Sequence, residues 1–275
     1  MNNATSTGII SLDRRIAEEN RSCQPTRKFI IVQILIVKYV GYLWLLFLVV
    51  SSCSQEELPR PAGPFPPLPT PAVVVPDTFS YLALGDSYTI GQSVAVGERY
   101  PVQLGDSLLG DSTVLFPLDI VARTGWTTED LAAGIAARTD LAAAYDLVSL
   151  LIGVNNQYQN RPLAAYETTF RQLLNQAVAF AGGRPERVFV VSIPDYAFTP
   201  FGGGQSNISA GIDAFNAANR TITEELGIAY FDITPISREG LNDPGLVASD
   251  GLHPSGKQYA RWVSLLLPGV KALLE

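Results

Sequence analysis

From residue 77 onward the chain alternates short, mostly apolar runs with longer stretches in which apolar residues recur at helical spacing. The runs Tyr81 to Leu84, Leu118 to Ala122, Leu147 to Ile152, Arg187 to Ile193 and Ile228 to Phe231 have the length and composition of parallel strands covered on both faces. Helical patterns fall between and after them, at Tyr100 to Leu109, Thr128 to Arg138, Leu163 to Ala181, Ile208 to Leu226 and Ser255 to Leu274. Thr127 and Thr128 followed by Glu129 and Asp130 form a helix-start signal, and Gly182-Gly183 before Arg184-Pro185 form a stop. The alternation predicts right-handed crossovers and an α/β fold, a three-layer α/β/α sandwich whose site lies among the loops at the carboxyl ends of the strands.

Before residue 77 the pattern changes. Phe29 to Val50 is almost wholly apolar, follows Arg27-Lys28, and ends in Ser51-Ser52-Cys53. A permanent transmembrane helix, a cleaved secretory signal and a lipoprotein signal compete for this segment. Small residues before a cysteine, after the apolar stretch Tyr39 to Val50, match a signal peptide better than a stop-transfer anchor, and resemble the bacterial lipobox. The expectation is a leader over 1–53 with lipidation at Cys53, giving a cell-envelope protein held on a membrane. Residues 54–76 include eight prolines between Leu58 and Pro76, which excludes helix and central strand and predicts an extended tether. A catalytic domain over 77–275 follows.

Charge and cysteine usage narrow the chemistry. Of 19 basic and 26 acidic residues, six and three lie before Cys53, so the remainder carries a net charge of −10. Such a surface repels polyphosphate, which argues against nucleic acid as a partner. Both cysteines, Cys23 and Cys53, lie at or before the expected processing site, and the chain has one histidine. Metal catalysis through histidine or cysteine ligands, and any organic cofactor needing a glycine-rich phosphate loop, therefore find no support.

Four segments following expected strands carry polar residues suited to acyl chemistry. The first strand runs into Gly85-Asp86-Ser87, where a tight glycine turn can present a serine hydroxyl at the sheet edge. Arg123-Thr124-Gly125-Trp126 follows the second strand and Gly153-Val154-Asn155-Asn156 the third, while Asp250 and His253 share the last loop. Taken singly, each has an ordinary explanation: Gly-Asp-Ser and Asp-Gly are common turns, and paired asparagines cap helices. In this order and at these places, they resemble the SGNH/GDSL hydrolases, over essentially Thr78 to Leu274. The resemblance implies a flavodoxin-like five-stranded parallel sheet with Ser87, Gly125, Asn155 and His253 as signature residues and Asp250 as partner of the histidine.

It further implies a Ser87, His253, Asp250 triad cleaving carboxylic esters through an acyl-enzyme, without metal or cofactor. The oxyanion would be met by the backbone N–H groups of Ser87 and Gly125 and the Asn155 amide. Asn156 stands where the family usually has Asp, a departure that bears on a neighbouring contact rather than on the oxyanion donor. Trp126, Tyr158, Tyr196 and Phe198 are the candidates for substrate contact, the last two on a long aromatic loop that runs into Gly202 to Gly204. The expected partners are small-molecule, glycan or lipid esters, together with a membrane through Cys53. Two alternatives remain at this stage: a catalytically silent glycan- or lipid-binding lipoprotein, and an acyltransferase on the same fold.

Overall fold

The computed structural model describes residues 76–275. The expected leader, the lipidation site Cys53 and the tether up to Val75 lie outside the described residues. In chain order the elements are β1 (Asp77–Asp86), α1 (Ser87–Ile90), α2 (Tyr100–Leu109), β2 (Thr113–Arg123), α3 (Thr128–Ala136), β3 (Leu147–Leu151) and α4 (Val154–Tyr158). They continue with α5 (Leu163–Phe180), β4 (Val188–Val191), α6 (Ser206–Glu225), β5 (Ala229–Phe231), α7 (Thr234–Ser237) and α8 (Gly256–Leu274). The five strands form one sheet in the order β2-β1-β3-β4-β5, every pair parallel.

Apolar continuity explains the centre of this sheet. Tyr81 to Leu84 of β1 and all of β3 and β4 are buried, since helices cover both faces and no position can be given to water. Helices α2 and α8 pack together, as do α3 with α5 and α5 with α6. With right-handed crossovers this strand order puts α2 and α8 in one outer layer and the other three in the second. Ser149, buried within β3, is satisfied by the hydroxyls of Tyr81 at 2.8 Å and Tyr100 at 3.2 Å. The α2–α8 layer is closed by Tyr100, Tyr259 and Trp262, all fully buried, the last two edge to face with centroids 4.9 Å apart.

The five expected helices and the central strands fall where the pattern places them, and the differences are local. The second strand begins at Thr113, five residues before the expected Leu118, and includes Pro117 and the exposed Phe116. An edge strand tolerates proline because one row of its backbone groups has no partner, so apolar content there is a poor guide to length. Its pairing with β1 shifts register between Phe79 and Tyr81, opposite that proline segment. Helix α3 starts on the expected signal, with Thr127 and Asp130 in a reciprocal capping box. Gly182 and Gly183 follow α5 with φ of 68° and 80°.

Candidate active site

The first strand turns directly into α1, making Ser87 the first helical residue. The turn has no room for a side chain at Gly85: a Cβ there would stand 2.1 Å from Thr89 Oγ1 and 2.5 Å from the Leu151 carbonyl oxygen. Asp86 caps the turn, its Oδ1 accepting the Tyr88 N–H at 2.9 Å, and Gly91 at φ 69° ends it by donating its N–H to the Ser87 carbonyl. The Tyr259 hydroxyl of α8 donates to the Tyr88 carbonyl at 2.9 Å and fastens the turn to the opposite layer. Ser87 is held there with 3% of its surface exposed.

The last loop is built around Asp250. Its Oδ1 accepts the N–H groups of Leu252 at 2.9 Å and His253 at 3.0 Å, while Oδ2 faces His253 Nδ1 at 2.6 Å. A carboxylate at that distance requires the proton on Nδ1, which leaves Nε2 as the accepting nitrogen. Partial burial pushes the Asp250 carboxyl up, and four donors outweigh it: the Ser93 hydroxyl, the His253 and Leu252 amides, and the imidazole. Together they hold Asp250 well below the usual carboxylate range. The Tyr88 ring packs against the imidazole, centroids 5.0 Å apart.

Asn155 enters from α4, whose first turn follows Gly153 at φ 134°. Its Nδ2 donates to the Trp126 carbonyl at 2.9 Å and approaches Asp86 Oδ2 at 3.4 Å, so the third-strand loop is joined to both the second and the first. Asp86 is fully buried; desolvation pushes its carboxyl up to about 7 against the opposing pull of the Tyr88 amide, its own amide and Asn155. Gly125 has φ 82° and faces open space, where an added Cβ would touch nothing within 4 Å.

Ser87, Asn155 and His253 line one cavity of about 160 Å³, shared with Tyr88, Val154 and Leu252 and bordered by Tyr158, Tyr196 and Phe201. No hydrogen bond between the Ser87 hydroxyl and the imidazole is formed among the described residues; the two meet across this cavity. Of the aromatic candidates, Tyr158 and Tyr196 lie on its wall, whereas Phe198 packs toward the core. The Trp126 indole covers Gly134 of α3, where an added Cβ would lie 2.2 Å from the ring. Phe201, unnamed among the candidates although on the expected aromatic loop, completes a cluster with Tyr158 and Tyr196, all three ring pairs 6.1–6.3 Å apart. Among the described residues no group of three or more His, Cys, Asp or Glu side chains is arranged to hold a metal ion.

Asn156 explains the departure from the expected acidic residue. It is fully buried, and its amide reaches back to α3: Oδ1 accepts the Thr128 N–H at 3.0 Å, and Nδ2 donates to Thr128 Oγ1 at 2.8 Å and Glu129 Oε2 at 3.3 Å. An amide both accepts from that N–H and donates to that carboxylate, which an ionised aspartate cannot do. The sequence gives no sign of this pairing, because its partners lie 28 and 27 residues away on another element.

A five-stranded parallel sheet between two helical layers, with these loops along its carboxyl edge, is the α/β fold of the SGNH hydrolases. Residues 83–261 match the GDSL-like lipase/acylhydrolase family, and the chain belongs to it. Solved structures of similar fold include TesA, at 17% identity and a TM-score of 0.57, covering 71% of this chain and 99% of that one. The psychrotrophic esterase EstA from Pseudoalteromonas sp. aligns at 16% identity and TM-score 0.55 over 71% and 98% of the two chains. A variant of the acetyl xylan esterase Axe2 from Geobacillus stearothermophilus aligns at 21% and 0.55 over 71% and 96%. No curated protein matches the chain.

Proposed function

We propose that the protein is a serine esterase that hydrolyses short-chain carboxylic esters through a Ser87, His253, Asp250 triad. The observation that carries this reading is that Ser87, the imidazole bonded to Asp250, and the Asn155 amide border one cavity. A serine hydroxyl is a weak nucleophile at neutral pH, so His253 Nε2 takes its proton as Oγ attacks the ester carbonyl. Asp250 keeps the proton on Nδ1 and stabilises the imidazolium that results. The tetrahedral oxyanion is met by the N–H groups of Ser87 and Gly125 and by the Asn155 amide. Collapse expels the alcohol, protonated by His253. Water, activated by the same base, then releases the acid and restores Ser87.

The volume bears on the substrate. A buried apolar cavity of about 150 Å³ holds a benzene molecule, and the space beside Ser87 is of that size. It suits short acyl groups, and because the cavity opens to solvent a long fatty chain would have to run outside it. In the cell, the cysteine-terminated leader supports attachment at Cys53 on the bacterial envelope, the tether carrying the domain away from the bilayer. Among the described residues no helix is long and apolar enough to cross a membrane.

The test is a series of p-nitrophenyl esters from acetate to palmitate, run beside acetylated xylan, with Ser87→Ala as control. Turnover concentrated on the short chains and absent from Ser87→Ala is expected. Equal rates for wild type and Ser87→Ala overturn the esterase reading, while a preference for palmitate overturns the size limit alone.

A further inference from the structure

Between α1 and the 3₁₀ turn at Val96–Glu98 the chain makes a tight excursion, Gly91–Ala95, which the reaction above does not use. It is tied to three parts of the site. Gly91 and Gln92 both donate their N–H groups to the Ser87 carbonyl, Gln92 at 3.0 Å, so the excursion is referenced to the nucleophile's own backbone. Gln92 Oε1 accepts the Thr124 hydroxyl at 2.7 Å, one residue before Gly125. Ser93 Oγ donates at 2.6 Å to Asp250 Oδ2, the same oxygen that meets the imidazole.

Ser93 is held in the left-handed region at φ 65°, which residues other than glycine, asparagine and aspartate adopt infrequently. This conformation brings its hydroxyl to a carboxylate 157 positions away in sequence. Without that donor Oδ2 would be restrained by the imidazole alone, leaving only the Oδ1 bonds to the Leu252 and His253 amides to orient the carboxylate.

We infer that Ser93 is a positioning residue for the reaction, orienting Asp250 and through it His253. The inference rests on the esterase reading above. Ser93 does not reach the substrate cavity, so its loss lowers turnover without weakening substrate binding. A neutral hydrogen-bond donor removed from a carboxylate that keeps its other partners costs about three- to tenfold in rate.

Two variants separate the donor from the backbone. Ser93→Gly accepts the positive φ and lacks the donor; Ser93→Asn tolerates that φ and brings an amide N–H. On p-nitrophenyl acetate, Ser93→Gly is expected to lose about three- to tenfold in kcat with KM unchanged, and Ser93→Asn to recover most of it. In an Asp250→Asn background the glycine substitution should have no further effect, since its route to the imidazole is already broken. Wild-type kcat in Ser93→Gly, or a loss of equal size in the Asp250→Asn background, overturns the inference. If Ser87→Ala retains full activity, the esterase reading has failed; if Ser87→Ala is inactive and Ser93→Gly is unimpaired, only the role of Ser93 has.

Discussion

At the scale of single residues, two adjacent asparagines on α4 divide their work. Asn156 holds the start of α3 and is buried away from the cavity, while Asn155 lines it. Asn155 has one amide proton on the Trp126 carbonyl at 2.9 Å and the other loosely on Asp86 at 3.4 Å. The first contact aims the amide, and in the proposed reaction the second is weak enough to be exchanged for the developing oxyanion. Loss of one such donor costs about 10²–10³ in rate. Asn155→Ala should therefore remain folded and lose about that factor in kcat on p-nitrophenyl acetate, with little change in KM.

Among elements, the junction of β1 and α1 is a tight fit. Gly85 sits between Thr89 and the backbone of β3, and a methyl group there would collide with a carbonyl oxygen that cannot turn aside. Overpacking of this kind costs about 1–3 kcal/mol. Gly85→Ala should lower stability by that amount in urea unfolding and also reduce activity, because relief comes by moving α1 and Ser87 with it. The aromatic group Tyr158, Tyr196 and Phe201 is a second such assembly, drawn from α4 and the loop after β4. That loop is coupled to the last one, since the Phe201 N–H donates to the Gly251 carbonyl at 2.9 Å.

Over the whole molecule, a buried carboxyl sets a pH dependence of folding. Asp86 is raised from 3.8 to about 7 in the native protein. Between these values the folded state holds a proton that the unfolded state has released, so stability is full below about pH 4 and falls as pH rises toward 7. At about 1.4 kcal/mol per unit the whole shift amounts to about 4 kcal/mol. Thermal unfolding followed from pH 5 to pH 8 should show wild type losing stability relative to Asp86→Asn, which cannot titrate. Parallel curves for the two proteins would show that the folded-state Asp86 carboxyl is already ionised at pH 5 and is not raised. Asp250 works in the opposite sense: held low by its donors, it contributes stability that is lost progressively as pH falls below about 4 into strong acid.

The sequence by itself determined the layered plan of the molecule. Strands β3 and β4 and the interior of β1 are covered on both faces, so their apolar runs had to be continuous, and the amphipathic helices between them had to alternate at helical spacing. It also placed Ser87 and Asn155 at strand ends and Asp250 with His253 in the loop before the last helix, because the order of motifs follows the order of elements. Tertiary structure alone decided the rest. The extent of β2 depended on its being an edge, the four-residue helix α1 has no periodicity to detect, and Trp126 was turned onto Gly134 by packing. Likewise, Asn156 meets Thr128, Ser93 meets Asp250 and Phe201 meets Tyr158 only after remote segments are brought together. Local patterning reports which side of an element faces the core; the partner of a polar group is chosen by distance in space, which a linear order of residues does not contain.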